Sequence, residues 1–179
     1  MVSGYVFHSG GFMLRKLIFL FLILLSVSCA PVENTPVDAA VRIEVATPDL
    51  EIQSNETIKI PIIADGVVNL AAFEAHLGFD ANTLEVLQII NGDLIQADFI
   101  AQNTFDNAAG TIDYAIAQIN REPFTGNGIL FQILFRAKAA GASPISIRAT
   151  DAAPTGILLS DPNGIAIEIL WMNGSVRVK

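Results

Sequence analysis

From Val41 onward the chain is a succession of strand-length apolar runs broken by turn residues. "VRIEVAT", "TIKIPIIA", "AAFEAHLGF", "LEVLQII", "TIDYAIAQI", "GILFQILFRAK", "PISIRAT", "AIEILWM" and "GSVRVK" are rich in Val, Ile and Phe, residue types that suit a pleated, half-buried surface. Turn signals separate them: "ADG" at 64–66, "NGD" at 91–93, "NAAG" at 107–110, "TGNG" at 125–128, "AAGAS" at 139–143 and "DPNG" at 161–164. No stretch carries helical periodicity, and "FDANTLEVL" has room for a single turn. About nine such runs with regular turns predict an all-β domain, an antiparallel β-sandwich of jelly-roll topology whose edges are managed by closing one sheet on another.

The strictest alternation lies in "AAFEAHLGFD", Ala71 to Asp80. Phe73, Ala75, Leu77 and Phe79 share the parity expected to face the core. Ala72, Glu74, His76 and Gly78 then face outward, because successive strand side chains point to opposite faces. The run at 111–118 repeats the pattern, with Ile112, Tyr114 and Ile116 inward and Asp113, Ala115 and Ala117 outward. Both strands thus offer a smooth outward surface of small side chains with a few charges. Asp80, where the strand ends, is placed to accept from nearby backbone donors and fix the turn.

Chemistry on this frame is scarce. His76 is the only histidine after the leader, and no "G-x-S-x-G" elbow accompanies it, so a Ser-His-Asp hydrolase is disfavoured and a surface histidine expected. Zinc requires several His or Cys ligands in one place, which the domain lacks. Nothing marks out a glycosidase pair among the acids, and "DPNG" lacks the twelve-residue calcium-loop pattern. The domain therefore reads as non-catalytic and without a cofactor of its own.

The N-terminal "RKLIFLFLILLSVSCAP" places Arg15 and Lys16 before the apolar run Leu17–Leu25, then small residues and Cys29, the only cysteine in the chain. This is a secretory signal over residues 1–28, with Met13 a candidate true start, too short for a spanning helix. It resembles a bacterial lipoprotein signal, which implies lipidation at Cys29 and a membrane attachment through the anchor. Residues 29–40, "CAPVENTPVDAA", read as a flexible tether, and residues 41–179 as the folded domain. All 18 Asp and Glu follow Cys29, while two of the 10 Lys and Arg precede it, which leaves ten excess negative charges. Such a balance disfavours a nucleic-acid partner, since phosphate contacts need clustered Lys and Arg.

The block "GVVNLAAFEAHLGFDANTLEVLQIINGDLI" resembles the cohesin module of cellulosome scaffolds. Gly66, Val67 and Asn69 match its entry, Phe79 and Asp80 its strand end, Leu84, Glu85 and Val86 its next strand, and Gly92, Asp93 and Leu94 its following turn. "GTIDYAIAQ", "GNGILFQILFRAKAAGAS" and "LSDPNGIAIEILWMNGSVRVK" are similar to its later strands in the same order. The resemblance implies a type I-like cohesin fold over the whole domain and a dockerin-bearing partner, a glycoside hydrolase being one candidate, with calcium on that partner. Carried over position by position, it makes Ala72, Glu74, His76, Asp113, Ala115 and Ala117 the partner-binding residues. The first of these strands departs from the family's Asn and Asp by carrying Ala72 and Glu74. It also implies an extracellular, cell-envelope-anchored protein linked to polysaccharide degradation. A carbohydrate-binding sandwich acting directly on polysaccharide is the alternative, weakened by a domain with one Trp and one Tyr.

Overall fold

A computed structural model describes residues 40–47, 51–151 and 153–179. The leader, Cys29 and the tether up to residue 39 lie outside the described residues. The described residues form thirteen strands: β1 Val41–Val45, β2 Glu51–Ile52, β3 Thr57–Leu70, β4 Ala72–Gly78, β5 Leu84–Asn91, β6 Phe99–Asp106, β7 Thr111–Ala117, β8 Phe124–Ala137, β9 Gly141–Ile147, β10 Ile157–Ser160, β11 Ala166–Ile167, β12 Ile169–Met172 and β13 Gly174–Val178. No helix occurs among the described residues.

One sheet runs β12-β1-β3-β8-β5, and the other β11-β10-β4-β9-β13-β2, with β7 against β4 and β6 outside β7. Pairing is antiparallel except at two rims, where β12 joins β1 and β2 joins β13 in parallel. The expected antiparallel sandwich is therefore mixed at those edges. β4 is the branch point of its sheet. β7 follows one side of it along its whole length, while the other side pairs first with β10 and then, at Leu77 and Gly78, with β9.

The sequence places turns at 64–66 and 125–128, yet both segments lie inside the long pair β3 and β8. The ladder absorbs them as irregularities: register shifts fall between Ala64 and Val67 and between Val67 and Leu70. Gly66 at φ 76° and Asn69 at φ 57° supply the left-handed backbone. Side chains replace lost ladder bonds there, the Gly66 N–H donating to Asn127 Oδ1 at 2.7 Å and the Asn69 N–H to Thr125 Oγ1 at 3.1 Å.

The inward parity of β4 and β7 is as the alternation predicts. Phe73, Ala75 and Leu77 are buried, as are Ile112, Tyr114 and Ile116. Phe73 packs against Phe131 of β8 and Tyr114, with ring centroids 5.8 Å apart in each pair, and joins the sheets through one aromatic cluster. Asp80 closes its turn as expected, accepting from the Asn82 N–H at 2.9 Å and from the Thr83 hydroxyl at 2.7 Å. Those bonds, the Asn82 backbone first, hold its carboxyl below the usual range. Residues 38–179 form a compact unit whose hydrophobic core is drawn from Val41 to Val178.

Candidate functional site: the outward face of β6, β7, β4 and β10

The antiparallel register of β4 and β7 sets Ala72 opposite Ala117, Glu74 opposite Ala115, and His76 opposite Asp113. All six residues picked out from the sequence thus meet as three directly opposed pairs on one face. On one side β6 extends these rows with Phe99, Gln102 and Thr104. On the other, β10 adds Ser160 beside Ala72 and Leu158 beside Glu74.

The face is not uniformly a surface of exposed side chains. His76, expected at the surface, is only 4% exposed, and Ala115 only 7%. Parity put the imidazole on the correct side of the sheet; its neighbours then cover it. Its Nε2 lies 2.6 Å from Glu74 Oε1 and its Nδ1 2.5 Å from Asp113 Oδ1. Arg148, immediately after β9, donates from Nη2 to the same Asp113 oxygen at 2.5 Å. Backbone bonds fix the register of this cluster, with the His76 N–H donating to Gly156 O at 2.8 Å and the Arg148 N–H to His76 O at 2.9 Å.

The bonding inventory decides what such a ring can do. A carboxylate only accepts, so a ring facing one on each nitrogen is satisfied when the group holds one proton more than a neutral imidazole between two carboxylates. With both nitrogens engaged, His76 offers no lone pair to take a proton from a substrate. The cluster braces the sheet face. Arg148 brings a guanidinium to the same cluster, and its Nε is a buried donor with no partner among the described residues.

Beside the cluster the face becomes apolar. Ala72, Ala115 and Ala117 floor a hollow of about 230 Å³, and Phe99 and Leu158 stand at its sides. Phe99 is 55% and Leu158 43% exposed, unusual for large apolar groups that flank one depression. Glu74 is the acidic side chain of its lining. The Phe99 side is anchored through its neighbour Asp98, whose carboxylate receives Arg121 Nε at 2.6 Å, Arg121 Nη2 at 2.9 Å and the Ile119 N–H at 3.0 Å. The paired guanidinium, with the backbone donor second, brings Asp98 down to about 2.

Phe99, Leu158 and Arg148 were missed from sequence. Phe99 opens "FIAQNTFD", where Gln, Asn and Thr dilute any apolar period, and Leu158 sits in the four-residue β10. Arg148 reaches Asp113 only through the branch of β4 between β10 and β9. Two roomier hollows lie outside this depression: about 320 Å³ among Gly66, Asn69, Asp161 and Ile165, and about 420 Å³ at the far end of β4, near Gly78, Gly110 and Arg148. Neither combines an apolar lining of exposed large side chains with an assembled charge cluster. Among the described residues no group of three His, Cys, Asp or Glu side chains comes together as a metal site.

A sandwich with one sheet face built of small residues, flanking apolar groups and a braced carboxylate defines a binding module. Residues 42–156 match the cohesin domain family, and the chain belongs to it. Over 112 residues, 60% of this chain, it is 27% identical to cellulose-binding protein A of Clostridium cellulovorans, and it spans only 6% of that protein's length. A non-cellulosomal cohesin from the archaeon Archaeoglobus fulgidus superposes with a TM-score of 0.64 at 21% identity, covering 79% of this chain and 92% of that one. The third ScaC cohesin of Acetivibrio cellulolyticus, solved in complex with the ScaB dockerin, superposes at 0.65 with 15% identity, covering 77% and 98%.

Proposed function

We propose that this domain is a non-catalytic docking module whose β6-β7-β4-β10 face binds a dockerin-bearing protein. The observation that carries the reading is the alanine-floored hollow between the exposed Phe99 and Leu158. β6 and β10 are separated by three inter-strand spacings, about 14 Å, which admits an α-helix about 10–12 Å across lying along β7 and β4. The ScaC cohesin in complex with the ScaB dockerin supports the partner class. Calcium belongs to the partner, and a glycoside hydrolase is the enzyme such a partner would carry.

The cellular setting follows from the leader. Lipidation at Cys29 holds the module at the extracellular side of the cell envelope, and the tether gives it reach, so that a captured enzyme works at a raised local concentration. Labelled fatty acid incorporated by the full chain and lost in Cys29→Ser tests the anchor. Direct polysaccharide binding is disfavoured by the aromatic residues. Tyr114 is buried, Trp171 donates its Nε1–H to Asn173 Oδ1 at 2.5 Å, and Phe99 and Phe105 pair with residues of opposite parity on β7, so they form no common stacking platform.

Residues 38–179, immobilised and exposed to the source organism's secreted proteins with calcium or with chelator, provide the direct test. The expected result is calcium-dependent capture of a protein with duplicated Asp/Asn-rich loops, abolished by Ala117→Arg on the floor of the hollow. Retention on insoluble polysaccharide without any such capture would overturn the reading.

A further inference from the structure

The free edge of β6 is a surface separate from the sheet face. Among the described residues β6 pairs with β7 alone, and all eight of its residues, Phe99–Asp106, are exposed. The backbone groups that point away from β7 have no ladder partner, and such an edge is a template for another strand. Its protection is thin, because "FIAQNTFD" has no Lys, Arg or Pro. The one irregularity is a bulge: the register steps from Ile100 opposite Ile116 to Gln102 opposite Ala115 and leaves Ala101 extra. Past it, Gln102 to Asp106 run in unbroken register with Ala115 to Thr111.

This regular run is complementary to itself. Set antiparallel to a second copy with Thr104 opposite Thr104, it places Gln102 opposite Asp106 twice and Asn103 opposite Phe105 twice. Parity is kept, because Gln102, Thr104 and Asp106 share one side of the strand and Asn103 and Phe105 the other. Asp106 uses Oδ1 for the Ala108 and Ala109 N–H groups, at 2.7 and 3.0 Å, and no hydrogen bond among the described residues uses its Oδ2. The exposed Gln102 amide of the second copy is a donor for that oxygen. Facing threonine hydroxyls pair as well. The two Asp106 carboxylates end up about 14 Å apart along the ladder, so they do not repel at close range. A contact over so few residues closes little area and belongs with the weak, transient interfaces.

We infer that two copies of the domain associate through β6, antiparallel about a two-fold axis at Thr104, which joins their β6-containing sheets into one. Because parity is kept, both β6-β7-β4-β10 faces open on the same side; on the docking reading, on which this consequence alone rests, one dimer offers two hollows to a partner with two modules. Residues 38–179 omit Cys29, the only cysteine of the chain, so a single introduced cysteine reports its distance from its own copy. Thr104→Cys sets the two Cα atoms about 4.5–5.5 Å apart, inside the window of about 4.4–6.8 Å for a disulfide. Asn103→Cys and Phe105→Cys, each offset by two residues from its copy, stand at about 8 Å. Under mild oxidation Thr104→Cys should cross-link about tenfold faster than either neighbour. Equilibrium sedimentation of the cysteine-free domain should show a monomer–dimer equilibrium. Gln102→Arg should tighten it and Gln102→Glu weaken it, each by about threefold or more, since every change acts at two symmetric pairs. A domain that stays monomeric up to about 1 mM, association indifferent to the charge at residue 102, or equal cross-linking at all three positions would overturn the inference. No partner takes part in the test, so its failure leaves docking intact.

Discussion

Replacing His76 by Leu should show how much the buried ring stabilises the sheet. The substitution keeps most of the side chain's volume and removes two charge-assisted hydrogen bonds, each worth about 1.5–3 kcal/mol when buried. Glu74 and Asp113 retain 31% and 25% of their side-chain exposure, so water re-solvates both in part and the low end of that range applies. Asp113 also keeps Arg148. The expected loss is about 2–3 kcal/mol, or roughly 6–10 °C in Tm for a domain of this size. Urea unfolding of residues 38–179 at pH 7 measures it, with a lowered midpoint and an unchanged m-value. Breaking a pair differs from replacing it, because the penalty resides in the carboxylates left without a donor. Adding Glu74→Leu to His76→Leu should therefore recover about 1 kcal/mol. A His76→Leu variant within about 0.5 kcal/mol of wild type would refute the reasoning, since the ring would then be packed passively.

Asp98 gives a pH window. Its carboxyl is lowered to about 2 from an ordinary 3.8 by Arg121 and the Ile119 N–H, so its contribution is fully present above about pH 4 and lost as pH falls toward 2. The stability difference between wild type and Asp98→Asn in urea titrations should be constant above about pH 5 and shrink as pH falls through about 2. Two glycine substitutions separate crowding from backbone strain. A Cβ at Gly92 would lie 1.7 Å from Ile129 O, whereas one at Gly66 meets nothing within 4 Å but sits at φ +76°. Gly66→Ala should cost about 1–2 kcal/mol, and Gly92→Ala clearly more, a ranking that thermal unfolding of the pair checks.

What could be read from the sequence follows the physics of burial. Strands with one face on the core announce themselves through a period of two, which is why β4, β7 and the later half of β8 were legible. β6 was not, because it is exposed along its whole length: it extends past the core as an edge strand, and no burial imposes a pattern on it. The glycine signals at 64–66 and 125–128 were real but ambiguous, since a left-handed backbone serves a bulge as well as a turn. The six face residues were legible because period and register are coupled: once β4 and β7 are antiparallel neighbours, equal parity puts them in shared rows. Arg148 was not, for its place depends on where β4 exchanges β10 for β9, a feature of the tertiary topology alone.

Parity assigns the side of a sheet, and neighbours assign the depth, and on this face the two disagree at His76. A docking surface composed only of exposed side chains could be redrawn residue by residue without cost to the fold, because strand alternation separates it from the core. Here the proposed docking face carries an ion cluster built around the buried His76, with Glu74, Asp113 and Arg148 tying β4 to β7 and to the end of β9. Glu74 belongs to both parts, bracing the ring through Oε1 and standing in the lining of the hollow. On the proposed docking reading, a change at residue 74 therefore acts on stability as well, whereas changes at Ala72, Ala117 and Leu158, outside the ion cluster, leave its bracing in place. This division locates the adaptable part of the face at the hollow and its fixed part at the histidine.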